Sequence, residues 1–260
     1  MSVIEFENVS NARDLGGIGL GDGRVVVPER FFRGGALNKA NNHDVALLRD
    51  ELGIDLTIDL RTGWERAAKP NVAMPGVEDV HVPFYDNDIV GIEYVKPIPG
   101  SKMVGRDFAC DPNDFYASMP NPLTAKQMAQ ALHLVFDRAV AGKPTYYHCS
   151  GGKDRAGILS VLLLNILGAD RDAILEDYLL TNVARDKNFD SIYARFLRLC
   201  ETEELALATT NAHRALPENL VAFYDAVDAH YGSMDAFIRD TLGFSDAEIA
   251  LLRERFSCEP

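Results

Sequence analysis

Cysteine is scarce in this chain: four residues in 260, at Cys110, Cys149, Cys200 and Cys258. They are widely scattered, with no CxxC pair and no zinc-like spacing, so a metal-knuckle or disulfide-framework protein is not indicated. A reduced compartment is the simpler reading. Basic residues are also in the minority, 26 against 39 acidic, for a net charge of −13. Such a surface repels polyanions and anionic membranes as a whole, which argues against nucleic acid as the partner. It does not argue against a small anionic substrate, because a few N–H groups and one arginine can reverse the field within a cleft. Long hydrophobic runs are missing: "ILSVLLLNILGA" is too short to span a bilayer. The N-terminus has no basic region followed by an apolar one, so no signal peptide is expected and the expected location is the cytoplasm, with signal-less export compatible. No internal repeat stands out. The GxxxxGK[ST] spacing is absent, so ATP binding is not indicated.

What is present is 47% hydrophobic content, enough for a sizeable core, and an ordered alternation of element signals. "RVVVPERFFRGG" holds two β-like runs broken by Pro28. "NNHDVALLRDELG" is helical in period and stops at Gly53. "IDLTIDLR" and "VEDVHVPF" read as buried strands. Residues 85–122 are interrupted repeatedly by Gly, Pro, Asp and Asn. They read as an irregular insertion, a lid or binding loop, with one short helix near Asn113 to Met119. Thr124 and Gln127 match a capping box for a helix reaching about Val140. "KPTYYHC" is a strand that delivers Cys149 to a sheet edge. Beyond Arg155 nearly everything is helical: "AGILSVLLLNILG" is apolar almost all round and so a central buried helix, and residues 170–260 form a helical lid and C-terminal helices. A second capping box, Ser245 with Glu248, starts the last helix. The pattern predicts a single α/β domain over residues 1–260, with a mostly parallel central sheet flanked by helices.

The chemistry concentrates in "HCSGGKDRAG", residues 148–157. A strand, a tight glycine-bearing loop and a helix start aim several backbone N–H groups at one point, a geometry that binds a tetrahedral dianion. Arg155, in the first turn, adds a bidentate fork for two phosphate oxygens. Cys149 at the base of the loop is placed for in-line attack on phosphorus, its thiolate stabilised by the same N–H groups and dipole. The expected cradle is Ser150, Gly151, Gly152, Lys153, Asp154 and Arg155. The bland alternative for Cys149 is an inert buried thiol, and for Asp154 a helix cap. Arg13, Asp14, Asp59 and Arg61 read chiefly as a structural ion-pair network. Tyr85, Phe115 and Tyr116 line either a substrate cleft or the core.

"HCSGGKDRAG" resembles the HCxxGxxR[ST]G loop of protein tyrosine phosphatases, and its Gly-Lys-Asp-Arg core is similar to the bacterial PtpB/LipA-type tyrosine and phosphoinositide phosphatases. Four further stretches follow the same family in order: "NARDLGG", "FFRGGAL", "IDLRTGWE" and the closing "YGSMDAFIRDTLGFSDAEIALLRERF". The resemblance implies a tyrosine-phosphatase-like fold and a phosphate monoester hydrolase acting through phosphocysteine, with no cofactor and no metal. Its substrates would be phosphotyrosine proteins, with phosphoinositides or phosphoserine/threonine beside them, and inorganic phosphate its product. Cys149 would be the nucleophile, Arg155 the clamp and His148 a buttress of the loop, with Lys153 adding positive charge at the mouth. Asp154 is the favoured general acid, and Asp86 and Asp88 in "PFYDND" are its rivals. One departure stands out: the family's Ser or Thr after the arginine is Ala156 here. The hydroxyl that would hydrogen-bond the departing thiolate is therefore missing, unless Ser150 compensates. This keeps a catalytically weak phosphate-binding module in view as the alternative function.

Overall fold

The computed structural model describes residues 2–85 and 112–260. The rival acids Asp86 and Asp88, Cys110 and most of the 85–122 insertion lie outside the described residues. The strands are β1 (Ser2–Val3), β2 (Arg13–Asp14), β3 (Val25–Val26), β4 (Phe31–Gly34), β5 (Leu56–Asp59), β6 (Glu78–His81), β7 (Thr145–His148) and β8 (Ser257–Cys258). The helices are α1 (Asn42–Ala46), α2 (Gly63–Ala68), α3 (Pro112–Ser118), α4 (Pro122–Val140), α5 (Arg155–Leu167), α6 (Arg171–Ala184), α7 (Asp186–Leu199), α8 (Glu203–Ala212), α9 (Pro217–Tyr231), α10 (Met234–Ala236) and α11 (Asp246–Arg255). No helix among the described residues is long and apolar enough to cross a membrane.

Six strands form one sheet in the order β1-β2-β4-β7-β5-β6. Its four inner and right-hand strands, β4, β7, β5 and β6, run parallel, and β1 and β2 add an antiparallel edge. The mostly parallel α/β arrangement expected from the sequence is thus the one observed. Register matters more than strand count here. Gly34 pairs with His148, His148 with Asp59 and Asp59 with His81, so the carboxyl ends of all four parallel strands finish in one row. The chain leaves the sheet there four times, which brings "FFRGG", "HCSGGKDR" and "DLRTGWE" to one edge. That edge is where open parallel sheets place their ligand sites.

Helix α5 runs back from that edge through the middle of the molecule. Eleven of its thirteen residues are buried, from Ala156 to Leu167, and it ends at Gly168, left-handed at φ 90°. Helix α4 covers one side with Met128, Leu132, Val135 and Phe136, which pack into the same core as α5. Its start differs from the expected capping box. Asn121 is the N-cap, accepting from the N–H groups of Leu123 and Thr124, with Pro122 at the first helical position. Thr124 instead donates its hydroxyl to Phe84 O at 2.9 Å. The Ser245–Glu248 box at α11 forms as expected. The C-terminus returns to the N-terminal third, because β8 pairs antiparallel with β3. Helices α7 and α8 pack on each other around a small cluster of their own, Phe196, Cys200 and Ala206.

Candidate active site

Strand β7 is buried at every position, and it delivers Cys149, 1% exposed, to the floor of the loop. The loop's shape follows from what its outer edge touches. Ser150 O accepts from the Ala36 N–H at 3.3 Å, and Gly151 O from Asn11 Nδ2 at 3.1 Å. Gly152 O and Lys153 O both accept from Arg33 Nη2, at 2.9 and 3.4 Å. Four successive carbonyls are therefore turned toward the N-terminal segments. In a trans peptide the next N–H points the opposite way, so the N–H groups of Gly151, Gly152, Lys153 and Asp154 face away from those segments, together. Among the described residues none of these N–H groups has an acceptor within the protein. Gly152 and Lys153 are buried, where N–H groups left in this way are rare, and successive N–H groups on one side of a loop suit an anion. Gly152 makes the turn, at φ +68°. A Cβ there would sit 2.5 Å from Gly34 C, so the close approach of the two loops requires glycine.

Arg33 is itself held. It donates to Asp177 Oδ2 at 2.7 Å, while Arg13 donates to Asp177 Oδ1 at 2.7 Å and to Asp177 O at 2.9 Å. All three side chains are at most 2% exposed. Burial would push the Asp177 carboxyl up, but Arg13 and Arg33 hold it below the usual carboxylate range. Two guanidinium groups against one carboxylate leave one positive charge behind the loop. Asn11 completes the set, accepting from Arg13 Nη1 at 2.6 Å. The ion-pair role read for Arg13 matches this geometry. Asn11, Arg33 and Asp177 drew no role from the sequence, although two of them stand in stretches that carried the resemblance.

Arg155 opens α5. Its Nη1 and Nη2 donate to Glu65 Oε2 and Oε1 at 2.5 and 2.8 Å, and Ser150 Oγ also donates to Glu65 Oε1. Glu65 is presented by the start of α2, where Thr62 forms a capping box with it. Burial works against the Glu65 charge, yet Arg155 and then Ser150 hold its pKa down to about 2. The two parallel bonds fix the plane of the Arg155 guanidinium. Glu65, which stands within "IDLRTGWE", is thus a residue of the candidate site whose part has no signal of its own in the sequence. Ala156 is fully buried, and the Ser150 hydroxyl donates to Glu65 Oε1.

Since Glu65 sits near 2 when folded and near 4.5 otherwise, its contribution of about 3 kcal/mol is in place above pH 4.5 and fades as pH falls toward 2. We expect Glu65→Gln to be less stable than wild type by about that amount at pH 7, and nearly equal to it at pH 2. Urea denaturation at the two pH values checks this; a gap independent of pH would refute the ion-pair account.

His148 is fully buried. Its Nε2 faces the Asn71 Nδ2 donor at 3.0 Å and its Nδ1 faces Cys149 O at 3.3 Å, which places the proton on Nδ1. Burial pushes its pKa down, with Asp59 opposing, so His148 steers the loop as a neutral ring and adds no positive charge. Asp59, Asp79 and His148 bring potential metal-ligating atoms within 4.8 Å of one another. Arg61 forks onto Asp59, Arg66 pairs with Asp79, and Asn71 lies between the two carboxylates. The residues therefore fit an ion-pair buttress better than a cation site.

Lys153 departs from the expectation of a cation at the mouth. It is 2% exposed, and its ammonium donates to Ala212 O and Arg214 O at 3.0 and 3.1 Å, at the end of α8. It also lies 3.1 Å from Asp154 Oδ1. Asp154 stands at the N-cap of α5 but makes no capping hydrogen bond. Instead its Oδ1 accepts from Tyr116 Oη at 2.7 Å, and a chain continues through Tyr178 Oη at 2.6 Å to Asn219 Oδ1 at 3.0 Å. Burial alone would raise the Asp154 pKa; Lys153, Tyr116 and Arg155 bring it below the usual range. Tyr85, Phe115 and Tyr116 are all buried, so they are core residues, and Tyr116 serves the site through its hydroxyl.

The chain is similar to named phosphatases over nearly its whole length. It is 28% identical over 253 residues to a Cupriavidus necator protein assigned as a tyrosine-protein phosphatase, covering 97% of this chain and 88% of the relative. It is 27% identical over 277 residues to the triple specificity protein phosphatase PtpB of Mycobacterium tuberculosis, covering 97% and 98%. A tyrosine-protein phosphatase of Nostoc commune is 27% identical over 253 residues, covering 89% and 75%. With the profile of that family matching residues 4–257, from before β2 to the last strand, this chain belongs to the tyrosine phosphatase family, whose chemistry is the hydrolysis of phosphate monoesters.

Proposed function

We propose that the chain is a single phosphatase domain that hydrolyses phosphotyrosine, and phosphoinositides beside it, in two steps through phosphocysteine. The observation that carries this reading is that the carbonyls of residues 150–153 are tied to the N-terminal segments while the N–H groups of residues 151–154, next to Cys149, have no acceptor among the described residues. The phosphoryl oxygens bind those groups and Arg155. The Cys149 thiolate attacks phosphorus, the S–P bond forms as the P–O ester bond breaks, and the leaving oxygen takes a proton from Asp154. Water then attacks phosphorus and returns its proton to Asp154, and the S–P bond breaks to release phosphate and the thiolate.

For Asp154 to donate, it must first be protonated. Its neighbours favour the carboxylate in the ligand-free protein, but a phosphate dianion brought into the loop is a like charge that raises its pKa again. Substrate thus loads the acid. The test is steady-state kinetics on a phosphotyrosine peptide, phenyl phosphate and p-nitrophenyl phosphate, with acid quench and mass analysis of the Cys149 peptide. We expect wild type to turn over all three and to carry a phosphoryl group on Cys149. Asp154→Asn should lose about 10²- to 10⁴-fold in kcat on phenyl phosphate, whose poor leaving group needs the proton, and distinctly less on p-nitrophenyl phosphate. An equal loss on both would assign the proton to another residue. A burst of product followed by negligible turnover would favour the phosphate-binding alternative, which the alanine at 156 keeps in play.

A further inference from the structure

We propose that Arg185 selects substrates by binding a second phosphate, adjacent on the same ring to the phosphoryl group held in the 149–155 loop. The proposal deepens the phosphatase reading and rests on it. Arg185 follows α6, with its backbone N–H bonded to Thr181 O at 3.0 Å. Its guanidinium lies against the loop: a Cβ built on Gly151 would meet Arg185 Nη1 at 3.2 Å, Cζ at 3.4 Å and Nη2 at 3.6 Å. A side chain at 151 would crowd the guanidinium where it now lies. Arg185 and Gly151 are both partly exposed, so this side of the loop reaches solvent.

Each of the other cations described above touches a carboxylate, although Arg13 and Arg33 share one. Arg13 and Arg33 share Asp177, Arg61 holds Asp59, Arg66 holds Asp79, Arg155 holds Glu65, and Lys153 lies on Asp154 and two carbonyls. Arg185 has no carboxylate partner among the described residues, and its Nε is buried without a hydrogen-bond partner. In a chain with 39 acidic residues against 26 basic, an arginine left without a counter-charge at the edge of an anion nest points to an anion from outside. The neighbouring His213 reports the same field: burial first, then the charges of Lys153 and Arg185, hold its pKa down to about 4.

The closeness of Arg185 to the loop indicates which anion. A guanidinium fork matches phosphate, and this one lies beside Gly151, a residue of the expected cradle. Vicinal phosphates on a polyol ring are separated by only two carbons, whereas the flanking charges of a phosphotyrosine peptide lie an aromatic ring away from phosphorus. An inositol head group with adjacent phosphates fits better than an acidic phosphopeptide.

The probes are a soluble inositol bisphosphate with adjacent phosphates, a doubly phosphorylated peptide and p-nitrophenyl phosphate. With Arg185→Ala we expect KM for the inositol bisphosphate to rise about 10- to 100-fold with kcat little changed, because one charge-assisted fork is lost equally from ground and transition states. Kinetics on p-nitrophenyl phosphate should stay within about twofold, and Arg185→Lys should recover part of the affinity, as a point charge without the fork. Calorimetry of the bisphosphate on Cys149→Ser, with and without Arg185→Ala, reads the same contact independently of turnover. If that affinity depends on Arg185 while wild type hydrolyses nothing, the phosphatase reading fails and the subsite stands. An equal loss on all substrates, no change on any, or a selective loss on the peptide would each overturn the proposal.

Discussion

Cys149→Ser is expected to lower kcat on p-nitrophenyl phosphate by at least about 10⁴-fold, the scale on which removing a nucleophile acts in enzymes that work through a covalent intermediate. The serine hydroxyl has the right position but is scarcely ionised at neutral pH and is a far weaker nucleophile than sulfur. Binding should survive. The loop carbonyls remain on Ala36, Asn11 and Arg33, and Arg155 remains on Glu65, so the variant should still take up tungstate or inorganic phosphate in a thermal-shift or calorimetric titration. Loss of turnover with retained oxyanion binding is the signature of a nucleophile. A serine variant with wild-type turnover would remove Cys149 from the mechanism altogether.

The second large effect lies behind the loop. Asp177→Asn leaves Arg13 and Arg33, both fully buried, without a counter-charge. Breaking one side of a buried ion pair costs about 3–5 kcal/mol, against a total stability of about 5–15 kcal/mol for a typical domain. We expect the urea midpoint to fall sharply and, in the fraction that folds, kcat to fall as well, since Arg33 no longer fixes Gly152 O and Lys153 O. The wild-type protein should show the same dependence on acid. The Asp177 pKa is depressed in the fold, so its stabilisation is complete above the unfolded value of about 3.9 and is lost as pH drops through the folded value. A midpoint for Asp177→Asn within about 0.5 kcal/mol of wild type would show that the triad contributes little.

The parts of this site that are legible in the sequence are those encoded within a few residues. Strand β7, the two glycines and the start of α5 adjoin one another, so residues 148–157 announce a nest by spacing alone. The supports are not local. Arg33 reaches a carbonyl 119 residues away and Arg13 a carboxylate 164 residues away, and no periodicity joins such positions; only the parallel register of β4, β7 and β5 does. Glu65 illustrates the same gap. Its stretch stood out, yet its partner Arg155 lies 90 residues on. The direction of Lys153 depends on where α8 ends, which has no signature in the loop. The α4 cap is a different matter. Asn121 followed by Pro122 was a stronger start signal than Thr124 with Gln127, because proline at the first helical turn marks the residue before it as the cap.

Lys153 gives the helical hairpin of α7 and α8 a part in the thermodynamics of the cradle. The last carbonyls of a helix carry partial negative charge, and here Ala212 O and Arg214 O share one ammonium that belongs to the phosphate loop. Detaching that hairpin would take both carbonyls from the ammonium and leave it Asp154 alone, so its local opening is energetically linked to the order of residues 150–154. The linkage runs both ways: whatever tightens the loop, an oxyanion above all, slows the fraying of a helix end nearly sixty residues further along the chain.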